Sequence, residues 1–145
     1  MSGQILIIDD QPDMLLLLEM FITDKTSHQV VSTSDPFEVE DLLSKHDVNV
    51  VLTELFMPSM DGLEVMQLVK RRDPDLPVIV ITATGTLEAA EEAVHQGAYD
   101  FITKPFRKER ILVAIEKAFE WQRVIKENRN LKSRMEEPGS EGQSS

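Results

Sequence analysis

Short apolar runs and amphipathic stretches alternate along this chain. Ile5, Leu6, Ile7 and Ile8 form a run that ends in Asp9 and Asp10. It is too short for a helix and predicts a strand buried on both faces. Residues 14–22 are rich in leucine and predict a helix, with Pro12 where a first turn tolerates proline. Residues 29–32 predict a second, shorter strand. Ser34, Asp35 and Pro36 form a helix start, with Phe37, Val39, Leu42 and Leu43 expected towards the core. Residues 48–52 predict a third strand, carrying Thr53 and Glu54 at its C-terminal end. A loop, Met57-Pro58-Ser59-Met60-Asp61-Gly62, leads into a helix that uses Leu63, Val65, Met66 and Val69. Pro74 and Pro77 bracket the next connection. Residues 78–82 predict a fourth strand, Thr86 a helix start and Gly97 its end. Residues 99–103 predict a fifth strand, broken by Lys104-Pro105, and a last helix begins near Arg107.

Strand and helix thus alternate with short connections. That pattern implies a parallel α/β sheet covered by helices on both faces. The last helix outruns its domain, continuing from Ile111 past Trp121 to about Met135. Within it Trp121, Val124, Asn128, Leu131 and Met135 fall at alternating spacings of three and four. This is a heptad seam with one polar Asn, through which two copies could pair. A single long helix with a solvated end fits the same stretch. Pro138-Gly139-Ser140 ends the pattern. The expected organisation is a folded domain over residues 1–120, a linker helix over 121–136 and a disordered tail over 137–145.

Composition narrows the classes. With 145 residues, one domain is expected. There are no cysteines, so disulfides and thiolate sites are excluded. The net charge of -11 disfavours direct contact with nucleic acid or anionic membrane. No run approaches the roughly 18 apolar residues of a membrane span. The opening residues lack a signal-peptide pattern, and a cytoplasmic setting is expected.

In an open parallel sheet, ligands bind beyond the carboxyl ends of the strands. This chain places Asp9 and Asp10 after strand one, Glu54 at strand three, Thr82 at strand four and Lys104 after strand five. Adjacent carboxylates are hard oxygen ligands suited to Mg²⁺. An ammonium and a hydroxyl can hold phosphoryl oxygens. Without a cation, three clustered carboxylates would resist ionising together. Asp9-Asp10 alone could be a mere polar strand end; with Thr82 and Lys104 at matching ends, a phosphoryl site is the better reading.

The pieces Ile7-Ile8-Asp9-Asp10, the Met57–Gly62 loop, Ile81-Thr82-Ala83 and Gly97 to Phe106 resemble the receiver domains of two-component response regulators, over residues 4–120. The resemblance implies a flavodoxin-like, doubly wound five-stranded sheet in the order 2-1-3-4-5. It implies that Asp9, Asp10, the residue at position 54 and the backbone carbonyl of Phe56 hold Mg²⁺. It further implies that Lys104 contacts the phosphoryl group ahead of a cis peptide at Pro105. Thr82 and Phe101 would be the switch pair. Implied partners are a sensor histidine kinase or phosphotransfer protein, and an output domain or protein met through helix four, strand five and helix five. The stretch from Ala118 to Leu131 resembles the linker of nitrogen-regulatory-type transcription activators.

One position departs from that family. The phosphoacceptor is an Asp there and Glu54 here. The extra methylene carries the carboxylate roughly 1.5 Å further from the backbone. A misplacement near 1 Å can cost in-line transfer about a hundredfold. Glu54 is therefore expected to accept phosphate poorly. Its reach towards Thr82 and Lys104 could partly imitate the phosphorylated state, with about one charge where phosphate carries up to two. A pseudo-receiver, a module that never takes phosphate, is the alternative. A phosphatase of the haloacid-dehalogenase type is disfavoured, since it needs Asp-x-Asp and this chain has adjacent acids. No enzyme activity is expected. His28, His46 and His95 are expected on the surface.

Overall fold

The computed structural model describes residues 2–135. The proposed tail over 137–145 lies outside them. Five strands and five α-helices alternate: β1 Gln4–Ile8, α1 Pro12–Lys25, β2 Gln29–Thr33, α2 Val39–Lys45, β3 Val50–Glu54, α3 Gly62–Arg72, β4 Val78–Thr82, α4 Leu87–His95, β5 Asp100–Thr103 and α5 Lys108–Met135. The sheet order is β2-β1-β3-β4-β5, all parallel.

The three central strands, β1, β3 and β4, are buried on both faces, so their alternate residues feed two cores, while the edge strands β2 and β5 are only partly covered. Ile5, Ile7, Val50, Leu52, Ile79 and Ile81 join Leu18, Ile22, Ile111 and Ile115 under α1 and α5. Leu6, Ile8, Val51, Val78 and Val80 join Val39, Val65, Met66 and Val69 under α2 and α3. Each such side chain taken from water contributes roughly 1.5–3 kcal/mol.

The second helix starts differently from the pattern's promise. Asp35 does cap a turn, accepting from the Phe37 N–H at 3.0 Å. That turn is a 3₁₀ segment, Pro36–Glu38, and α2 proper begins at Val39. Phe37 therefore swings outward and is 64% exposed instead of joining the core.

Two glycines are required by geometry. Gly97 ends α4 with φ of 108°, a left-handed conformation disfavoured for residues with a Cβ. At Gly62 a Cβ would run into the Glu54 carbonyl. Its N–H instead donates to Leu55 O at 2.6 Å, folding the β3–α3 loop back under the end of β3. Asp61 then starts α3 with a reciprocal capping box to Glu64.

Helix α5 continues past residue 121 without a break. Val124 and Leu131 are exposed, whereas Trp121 is half-buried with its ring 5.7 Å from that of Tyr99, and the side chain of Met135 lies outside the described residues. His28 is not a surface residue. Its side chain is buried and stacked on Phe119 at 4.1 Å. The Nδ1 atom accepts the Gly3 N–H at 3.1 Å, so the ring proton lies on Nε2, 2.8 Å from Glu116 Oε2. No residue spacing announces this long-range relay. Among the described residues, no helix is long and apolar enough to cross a membrane.

Candidate functional site

Parallel strands bring their C-terminal residues to one edge. The strand ends of β1, β3 and β4, with the residue after β5, deliver Asp9, Glu54, Thr82 and Lys104 there. Register and a backbone bond from Lys104 N–H to Thr82 O, 2.8 Å, join the last two segments. The Lys104–Pro105 peptide is cis.

Lys104 is the hub. Its Nζ lies 2.6 Å from Glu54 Oε1 and 3.1 Å from Asp9 Oδ2. All three side chains are largely buried, with 12%, 8% and 3% exposure for Lys104, Glu54 and Asp9. Charges so withdrawn from water need close partners. The other Glu54 oxygen, Oε2, accepts from Leu55 N at 2.8 Å and Phe56 N at 3.1 Å. Asp9 Oδ1 accepts from Gln11 N at 2.9 Å. Each carboxylate thus has one oxygen on backbone amides and the other on the ammonium.

Burial pushes the Asp9 carboxyl above its usual range, and Glu54 adds to this; the Gln11 amide and Lys104 oppose it. Burial alone would depress the Lys104 ammonium. Its hydrogen bonds to Glu54 and Asp9, and their charges, outweigh that and hold it above its ordinary value.

The remaining residues sit around this core. Thr82 is buried, its hydroxyl oxygen accepting from Thr84 N at 3.2 Å. Phe101 is half-buried and packs against the core under α3. Asp10 is exposed and forms no ion pair among the described residues. Phe56 is 55% exposed beside Glu54. Among the described residues, no three acidic or His side chains cluster as an evident ligand set. Mg²⁺ typically uses one or two carboxylates and keeps several waters. The oxygen donors of Asp9, Asp10 and Phe56 at this edge suit that chemistry.

Residues 5–116 match the response regulator receiver domain model. The chain belongs to the response regulator receiver family. Such a domain is a signalling module of two-component systems and not an enzyme. The receiver is 35% identical over 129 residues to the C4-dicarboxylate transport transcriptional regulatory protein DctD of Pseudomonas aeruginosa, covering 89% of this chain and 28% of that protein. It is 35% identical over 135 residues to the nitrogen assimilation regulatory protein NtrX of Azorhizobium caulinodans, covering 91% and 29%. It thus spans under a third of these curated relatives. Crystalline NtrX from Brucella abortus superposes with a TM-score of 0.85 at 29% identity, over 90% of this receiver and 30% of that chain. The beryllofluoride-activated NtrC4 receiver domain dimer superposes with a TM-score of 0.77 at 30% identity, over 82% and 98%. The flavodoxin-like fold and its 2-1-3-4-5 strand order are those expected from the sequence.

Proposed function

We propose that this receiver is the input switch of a two-component regulator in which Glu54 occupies the phosphoacceptor position, blocks phosphorylation and holds the site partly in its phosphorylated arrangement. The Glu54–Lys104 ion pair at 2.6 Å carries this reading. A carboxylate already bonded to the ammonium and to two backbone amides is a poor nucleophile, and it puts negative charge against a group suited to phosphoryl oxygens. Asp9, Asp10, Glu54 and the Phe56 carbonyl would hold Mg²⁺. In a form that accepts phosphate, such as Glu54→Asp, the ion would supply charge neutralisation for the incoming phosphoryl group. Lys104 and Thr82 would receive its oxygens, and Phe101 would transmit the change.

The partners would be a sensor histidine kinase or phosphotransfer protein in the cytoplasm, and an output domain or protein met by α4, β5 and α5. Likeness to transcriptional regulators favours a transcriptional output, and likeness to a receiver dimer favours self-association. Two copies would associate through the linker helix over 121–136. Direct binding to nucleic acid or membrane by this domain is disfavoured by the net charge of -11.

A small phosphoryl donor such as acetyl phosphate, with Mg²⁺, tests the switch. Glu54→Asp is expected to take up phosphate where the parent does not. If neither does, the pseudo-receiver reading replaces this one. Sedimentation of the chain cut after residue 120 tests the association; undiminished dimer content removes the linker helix from it.

A further inference from the structure

Two polar ties hold the far part of α5 to the domain. The first is a relay through Asn49, whose Oδ1 accepts the Gln4 N–H at 2.9 Å and whose Nδ2 donates to Gln122 Oε1 at 3.1 Å. A backbone N–H can only donate, so the relay fixes both amide orientations. Gln122 is buried in its cleft. The second is an ion pair between Arg129 Nε and Asp75 Oδ2, 3.0 Å apart, where Asp75 stands in the loop before β4 with its side chain 13% exposed.

Residues on an α-helix advance by roughly 100° each. Gln122 and Arg129, seven apart, therefore lie within about 20° of each other, on the domain-facing stripe. Val124 and Leu131 follow them by two positions each, about 200° round the axis. They lie on the opposite face and are 42% and 54% exposed. Asn128 is exposed between them. Anchoring the first stripe thus sets where the second one points.

We propose that the Asp75–Arg129 pair is a positioning contact that fixes the rotation of the exit helix, so that Val124, Asn128 and Leu131 face away from the domain and towards a second copy of this chain. The proposal rests on the self-association put forward above. The relay at Gln122 lies within the folded body, whereas Arg129 lies two turns further out, where the helix would otherwise fray and turn freely. Asp75 suits the role because the β3–β4 connection holds it. Its own N–H donates to Asp73 Oδ1 at 2.9 Å, pinning the turn.

The test uses the full chain with Arg129→Gln and Arg129→Lys, substitutions at an exposed side chain that leave the core untouched. Sedimentation equilibrium reads the dimer constant. Amide exchange of residues 126–131, measured at a dilution where the chain is monomeric, reads the latch by itself. Arg129→Gln is expected to weaken the dimer about threefold and to raise exchange by a similar factor, the scale of one exposed ion pair. Arg129→Lys should retain most of both. Asp75→Asn should reproduce Arg129→Gln, and adding it to Arg129→Gln should change little more. Unchanged exchange in Arg129→Gln overturns the latch whatever the dimer does. A parent that is monomeric at every concentration overturns the self-association and the outward-facing role with it, while the exchange data then still decide whether the pair holds the helix. Leu131→Ser should weaken the dimer and leave residues 126–129 of the monomer unchanged in exchange. A Leu131→Ser dimer as tight as the parent's overturns the assigned face.

Discussion

Glu54 and Lys104 meet at 2.6 Å across 50 residues of chain, and Asp9 joins the same ammonium at 3.1 Å. Both acids come from strands paired side by side, β1 and β3, and the lysine from the segment after β5. The ion triad therefore closes the strand-end edge across most of the sheet's width.

Removing the hub should be costly. Lys104→Met leaves two largely buried carboxylates with no cation. We expect a loss of about 3–5 kcal/mol in urea unfolding, the range for breaking a buried ion pair from one side. A loss below about 1 kcal/mol, the scale of an exposed pair, would mean the triad is hydrated and structurally idle.

Stability should fall on the alkaline side. Lys104 is held above its ordinary 10.5 by the two acids. A raised folded-state value makes its contribution full below 10.5 and lost as pH climbs through the folded value. Tyr99 acts in the same direction. Burial, aided by Asp100, raises it above 10.0, so the folded state prefers the neutral phenol. The chain has a single tyrosine, so its absorbance near the phenolate band reports Tyr99 alone. Its midpoint should lie above 10.0 in the folded protein and return to that value in denaturant. Identical midpoints in both conditions would contradict the assigned burial.

His28→Ala should destabilise the domain by about 2–4 kcal/mol, combining a cavity beside Phe119 with an orphaned Gly3 N–H. Chemical denaturation of His28→Ala and His95→Ala separates the buried ring from an exposed one. Only the first should shift the midpoint. Equal midpoints would remove the relay from the account of stability.

Gly62→Ala places a methyl against the Glu54 carbonyl and Leu55 Cα, both backbone. Backbone cannot step aside as a flexible side chain can. A penalty above about 1 kcal/mol is expected, larger than the propensity change alone, which favours Ala in a helix. Thermal unfolding of this variant measures it, and a stabilised protein would show the loop to be looser than described.

The elements, their alternation and the strand-end residues were legible along the chain because they rest on local rules. Runs buried on both faces, a Pro-bounded connection and the helix starts at Asp35 and Thr86 are written in neighbouring residues. Parallel β–α–β connections then force all strand ends to one edge. That is why Asp9, Glu54, Thr82 and Lys104 could be named together from order alone. The outward turn of Phe37 was not legible, since a 3₁₀ turn and an α-turn accept the same Asp-Pro start. Nor were His28 on Glu116, Asn49 on Gln122 or Arg129 on Asp75, which join residues 88, 73 and 54 positions apart. Sequence periodicity records which side of its own element a residue occupies. What stands opposite, and whether a carboxylate three strands away meets an ammonium or water, is set by how the elements pack, and tertiary structure alone decided it.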